Sequence, residues 1–282
     1  MNLASGRDRE TEREHGERLA GGANGPGETL RDLAQTAARD VNRAAHLVHR
    51  ERLPRGRALT RGIALAAIYA LGLVALLLLA VAAHTHALLP VDLPFTRELQ
   101  EHPTPVVSAF LTFISAIGYF PYAEIIVAVC VIALVLLRLR LEAIFLLATS
   151  LADALGALIK DVVNRQRPSP SLVHVAQQLN SPSFPSGHTL HYTVFYGFLA
   201  FVLITSFRAS WRRNVLVAIC FALIALVGIS RVYLGEHWLT DVLGGYLLGG
   251  LFLLPLVALY LWARAHFNSI TLRPLPHPAQ PQ

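Results

Sequence analysis

The chain has 282 residues, 54% of them hydrophobic and only 15% charged, a balance that excludes an ordinary soluble domain and indicates a polytopic membrane protein. Its formal net charge of +6 comes from arginines dispersed over the N-terminal segment and the short loops, in no recognisable binding motif, so no nucleic-acid partner is implied.

Residues 1–60 are hydrophilic and rich in Arg and Glu. Residues 1–27 are predicted to be disordered, ending in a glycine-rich breaker. Leu30, Leu33, Ala37, Val41, Ala44 and Val48 then recur at helical spacing, predicting an amphipathic helix that lies on the membrane, binds a partner or is simply solvated. Gly62 to Ala83 carries no charge and is long enough to cross a hydrocarbon core of about 30 Å. A cleaved signal peptide would place its apolar core near the start, so this segment is a first span or signal anchor.

Residues 105–118 are apolar but short and interrupted by Ser108, Thr112 and Ser115, which predicts an interfacial or re-entrant helix. Five further spans are expected over residues 121–137, 141–159, 189–207, 214–230 and 238–263. The expected fold is all-α: a polytopic bundle of six transmembrane helices plus the interfacial helix, over residues 61–265, with a C-terminal tail at 266–282. Cys130 and Cys220 fall inside spans as small apolar residues, with no metal-ligand spacing around them.

Arg50, Arg52, Arg55, Arg57 and Arg61 precede the first span, so the positive-inside rule places both termini in the cytoplasm. Alternation then requires basic loops at Arg138 to Arg140 and at Arg208 to Arg213, and both are basic. The remaining loops face outward and carry three clusters of reactive side chains. The first is Lys160, the only lysine in the chain, with Arg167-Pro168; the second is Pro185-Ser186-Gly187-His188; the third is Ser230-Arg231 with His237 and Asp241.

Alone, Lys160 and Arg167 are equally snorkelling interfacial cations. Ser186 and Gly187 open a helix whose free amides attract an anion, and His237 and Asp241, four apart, share a helix face. Together they supply three cations, helix-start amides, and two histidines, one beside a carboxylate, which is the inventory of phosphoryl transfer through a phosphohistidine. No metal-binding set of paired carboxylates occurs in these loops. Glu236 reads as solvated. Asp153, two turns below Lys160, should point into the bundle, as should Glu124; His191 lies one turn from His188, and residues 169–184 read as a cover over the site. Gly245 and Gly249 suit close helix packing.

The order and spacing of these residues resemble the phosphatidic acid phosphatase type 2 superfamily, membrane lipid phosphate phosphatases related to the soluble vanadium haloperoxidases. Its signatures Lys-x6-Arg-Pro, Pro-Ser-Gly-His and Ser-Arg-x5-His-x3-Asp are matched at every fixed position. The resemblance implies His237 as nucleophile, Asp241 as its orienting partner and His188 as acid. It implies Lys160, Arg167, Ser186, Gly187 and Arg231 as phosphate ligands, with no metal and no cofactor. It further implies a lipid phosphate or diphosphate substrate, such as undecaprenyl diphosphate, phosphatidylglycerophosphate or phosphatidic acid, met at the extracytoplasmic face of a bacterial inner membrane. The alternatives are a lipid phosphotransferase using the same site and a non-catalytic transporter of the same fold; the latter would lack one of His188, His237 and Asp241, all of which are present.

Overall fold

The computed structural model describes the backbone of residues 55–86 and 88–271 and the side chains of residues 62–86 and 88–266. The expected N-terminal disorder, the amphipathic helix over Leu30 to Val48 and most of the C-terminal tail lie outside these residues. The chain divides after Leu65 into two units, and the contacts below belong to the second.

Among the described residues all regular structure is helical. The helices are α1 (Arg55–Thr85), α2 (Asp92–Gln100), α3 (Pro105–Ala116), α4 (Tyr122–Leu136), α5 (Arg140–Ala148), α6 (Leu151–Val163), α7 (Gly187–Ser206), α8 (Trp211–Tyr233) and α9 (Leu239–Thr271). Five stretches are long and apolar enough to cross a membrane: Gly62–Thr85, Arg140–Val163, Gly187–Ser206, Trp211–Tyr233 and Leu239–His266. The chain is an integral membrane protein.

Two expected spans differ in detail from the sequence reading. The second becomes α4, a helix of 15 residues, which rises about 22 Å and is shorter than the other spans. Pro121 stands at its N-cap and Arg138, at φ 63°, turns the chain just beyond its end. The third is interrupted between α5 and α6. There the Thr149 hydroxyl donates to the Leu146 carbonyl at 2.6 Å, and the Thr149 and Ser150 amides take i−3 carbonyls. A hydroxyl competing for backbone acceptors tightens and breaks the helical ladder. The short helix expected over residues 105–118 is α3; the Thr104 hydroxyl accepts the Val107 amide at 3.3 Å with Pro105 in the first turn, a cap followed by a residue that needs no donor.

The bundle is built around α7, whose Tyr192, Phe195, Phe198 and Val202 are fully buried against α8, α9, α6 and α5. Lipid offers no solvent for apolar groups to escape, so cohesion here comes from close van der Waals packing. α9 reaches α7 through glycine: a Cβ at Gly249 would lie 2.7 Å from the Thr193 Cβ, and one at Gly245 would lie 2.8 Å from the Ser186 carbonyl oxygen. Lipid-facing surfaces carry exposed apolar side chains such as Ile63, Leu71, Leu78 and Ile132.

Candidate active site

The loops that follow α6, precede α7 and separate α8 from α9 meet at one end of the bundle. Lys160 lies in the last turn of α6. That helix ends at Asn164, which adopts the left-handed conformation at φ 47° and donates its amide to the Lys160 carbonyl at 2.8 Å, turning the chain so that Arg165 and Arg167 re-enter the cluster. Ser186 is the N-cap of α7, and Gly187 is its first residue. Asp241, in the first turn of α9, reaches back to accept the Trp238 amide at 2.9 Å, half of a capping box. The Ser186 amide donates to the Asp241 carbonyl at 3.0 Å, joining the second and third clusters main chain to main chain.

His237 is 2% exposed. Its Nε2 lies 3.2 Å from Arg167 Nη1 and its Nδ1 lies 3.3 Å from Ser183 Oγ. A guanidinium only donates, so Nε2 must present its lone pair and the proton sits on Nδ1. The Asp241 carboxylate is not the direct partner of the ring: its Oδ2 stands 3.6 Å from Nδ1 and accepts instead from Ser183 Oγ, so the link from carboxylate to imidazole passes through Ser183. Burial, then the positive fields of Arg167, Lys160 and Arg231, holds the His237 imidazole well below the usual 6.5. A neutral ring whose Nε2 keeps its lone pair unprotonated is the form a nucleophile needs.

The cations divide by partner. Lys160 Nζ donates to the carbonyls of Pro182 at 2.9 Å and Ser183 at 3.4 Å. Arg167 donates to the carbonyls of Ser181 at 2.7 Å and Glu236. All of these acceptors are neutral. Arg231, fully buried, is instead paired with the Glu236 carboxylate and also donates to Ser115 Oγ and to Tyr119 Oη, the latter at 2.9 Å. Glu236, expected from sequence to be solvated, is 3% exposed and accepts from both Arg231 and Tyr119. Gly235 causes the difference: at φ 64° it folds the chain so that the Glu236 amide bonds back to the Arg231 carbonyl at 3.1 Å.

His188 packs its ring edge-on to Tyr119 with centroids 4.4 Å apart, and its buried Nε2 has no hydrogen-bond partner. Gly118 makes this possible, because a Cβ there would lie 2.5 Å from His188 Cδ2. Ser186 is buried and accepts the Thr189 hydroxyl at 3.0 Å. The nearest atom to a Cβ at Gly187 would be Lys160 Cε, at 3.8 Å. Segment 181–183 of the expected cover lies on Lys160, Arg167 and His237.

Sequence reasoning missed the buried network beneath His237. Arg165 bridges two carboxylates, Asp92 and Asp241, each at 2.6 Å, and also donates to Thr240 Oγ1 at 2.6 Å. Asp92 further accepts the Thr240 amide at 3.0 Å and the Leu89 amide at 3.1 Å. The one available signal was a second arginine two residues before Arg167, on a face where topology expects few cations.

A cavity of about 700 Å³ opens beside the cluster between α4, α6 and α7. Lys160, Gly187 and His188 stand at its polar end, and Val127, Val131 and Leu147 continue the wall into the bundle. Glu124, Asp153 and His191 also line it, and His191 Nδ1 donates to Asp153 Oδ2 at 2.9 Å. Among the described residues no group of three or more His, Cys, Asp or Glu side chains could hold a metal ion.

A model of the PAP2 superfamily matches residues 141–265. The chain is 32% identical over 176 residues to phosphatidylglycerophosphatase B of Bacillus subtilis (strain 168), covering 61% of this chain and 85% of that protein. It is 35% identical over 103 residues to an undecaprenyl-diphosphatase of Sulfolobus acidocaldarius, covering 35% of this chain and 45% of that protein. Its fold superimposes on the crystal structure of the transmembrane PAP2 type phosphatidylglycerolphosphate phosphatase from Bacillus subtilis with a TM-score of 0.60 at 27% identity, covering 68% of this chain and 94% of that one.

Proposed function

Because the chain belongs to the PAP2 superfamily, we propose that it hydrolyses a lipid phosphate or diphosphate through a phosphohistidine on His237, without a metal ion. The observation that carries this reading is the geometry of His237: a buried imidazole with its Nε2 lone pair turned toward Arg167 and its Nδ1 on Ser183. The phosphoryl group displaces the resting Arg167 contact. Nε2 attacks phosphorus, the bond from phosphorus to the leaving oxygen breaks, this being the lipid alcohol oxygen of a monophosphate or the bridging oxygen of a diphosphate, and His188, whose Nε2 is unpartnered, gives that oxygen a proton. In the second step His188 takes a proton from water, the water oxygen attacks phosphorus, and the bond to Nε2 breaks, releasing inorganic phosphate. Asp241 acts through Ser183 to hold the proton on Nδ1. Lys160 and Arg167, with the amides at the start of α7, bind the phosphoryl oxygens, and Arg231, its charge met by Glu236, holds Tyr119 in place beside His188.

The cavity between α4, α6 and α7 supports a lipid-borne substrate, since an apolar wall runs into the bundle from the polar end. Phosphatidylglycerophosphate and undecaprenyl diphosphate are the head-group classes to try first, in line with the relatives. The basic loops at Arg138 to Arg140 and Arg208 to Arg213, at the opposite end, support an extracytoplasmic site in a bacterial inner membrane with both termini inside. The test is phosphate release from lipid mono- and diphosphates in detergent with a chelator present, beside His237→Ala. The variant is expected to lose about 10⁴-fold or more in turnover, with a phosphohistidine trapped in the wild type alone. Full activity in the variant, or loss of wild-type activity to the chelator, sinks the reading.

A further inference from the structure

The opposite end of the bundle holds a second cavity, of about 550 Å³, between α4, α7 and α8. Its wall is apolar: Cys130, Leu134, Tyr196, Leu203, Leu216 and Cys220 face it. Its rim is the reverse, with Arg208, Arg212 and Arg213 contributed by the loop after α7 and the first turn of α8. Among the described residues the rim cations have only neutral partners. Arg213 donates to the Phe207 carbonyl at 3.4 Å and to Asn214 Oδ1 at 2.9 Å, and Arg212 stacks over the Trp211 ring at 5.6 Å. Among the described residues no carboxylate lies within ion-pair distance of any of the three.

The dimensions narrow the occupant. From Arg212 to Cys220 along α8 the slot is about 12 Å deep at about 1.5 Å per residue. No residue lines both this slot and the cavity beside the catalytic cluster, so the two are distinct. Trp211 is 72% exposed beside the rim, where an indole marks the boundary between head groups and acyl chains. A free anion would satisfy the rim and leave the slot empty, and a neutral chain would fill the slot and leave the arginines without counter-charge. One molecule satisfies both: a phosphate-bearing head group at the rim with an acyl chain in the slot, as basic pockets between membrane helices provide.

We propose that the groove between α4, α7 and α8 binds an anionic glycerophospholipid of the leaflet opposite the catalytic cluster, its phosphate on Arg208, Arg212 and Arg213. The proposal is independent of the catalytic reading. The test uses the full-length protein stripped in neutral detergent and titrated separately with phosphatidylglycerol, a diester with no phosphomonoester to hydrolyse, with phosphatidylcholine and with inorganic phosphate. Retained lipid is counted by native mass spectrometry and stability is followed by thermal unfolding. Phosphatidylglycerol is expected to be retained at least about tenfold more tightly than phosphatidylcholine and to raise the unfolding temperature; inorganic phosphate should do neither. The preference should vanish in the combined Arg208→Gln, Arg212→Gln, Arg213→Gln protein and survive in Lys160→Ala. Leu203→Trp, which fills the slot and spares the arginines, should lose retention, and decides the matter if the triple variant does not fold. Equal retention of both lipids, a preference that survives the triple variant, loss in Lys160→Ala, or an equal response to inorganic phosphate overturns the proposal.

Discussion

Arg165 and Arg167 stand two residues apart and occupy opposite electrostatic situations. Arg165 is sealed between two carboxylates, Asp92 and Asp241, whereas Arg167 is held by carbonyl oxygens and the His237 ring. The same division sorts the other cations: Arg231 has Glu236, and Lys160 has only carbonyls. A buried cation with a carboxylate has its charge cancelled within the protein; one with neutral acceptors keeps a field that an incoming anion can use. The compensated arginines therefore read as scaffold, and on the proposed reading Lys160 with Arg167 is the part of the cluster that phosphate meets.

Substitution should separate the two classes. Arg165→Gln leaves Asp92 and Asp241 facing each other without their cation, and breaking such a buried pair should cost about 3–5 kcal/mol of stability, read as a large drop in unfolding temperature in detergent. If Arg165→Gln unfolds like the wild type, the scaffold assignment is wrong. Arg167→Gln removes an uncompensated charge: kcat/KM should fall about 10²- to 10³-fold with the unfolding temperature nearly unchanged, and a variant that unfolds early instead would erase the distinction. Ser183→Ala cuts the link between Asp241 and His237 and should lower kcat about tenfold without changing KM for the lipid.

The smallest effect is on pH. Burial and the neighbouring cations depress the His237 pKa in the folded protein, so its neutral form persists as pH falls through 6.5 and the acid limb of kcat/KM lies below that value. Arg167→Gln removes one of the cations responsible, so the residual activity of that variant should have its acid limb at higher pH. An unmoved limb would mean that another group controls it.

What could be read from the chain follows from the range of the interactions. The three candidate clusters were legible because each is a short run of fixed residue types, and parity of spans carries separate runs to one end of the bundle. The scaffold was not, because Asp92 lies 73 residues from Arg165 in a segment with no period and no motif. Glu236 was misread for a local reason: a loop glutamate at a membrane edge is ordinarily wet, and only the Gly235 turn reveals that it points back at Arg231. The hydroxyl pair Thr149-Ser150 was a visible signal of the break between α5 and α6, overlooked because apolar composition runs through it without interruption. α4 was likewise drawn to the limits of its apolar run, while its ends are set by Pro121 and the positive φ of Arg138.

The hydrogen bond from the Ser186 amide to the Asp241 carbonyl has a consequence for how this protein can change. It involves no side-chain atom, and the carbonyl of Ser186 in turn lies against the bare backbone of Gly245. The separation between the α7 half and the α9 half of the site is thus a property of the main chain, inherited intact by any sequence that keeps the glycine. The apolar residues lining the cavity between α4, α6 and α7, such as Val127, Val131 and Leu147, can change without disturbing that separation. If the cavity holds the lipid, as proposed, a lineage can therefore trade one lipid for another by altering the cavity wall, while the spacing of its reactive groups stays fixed.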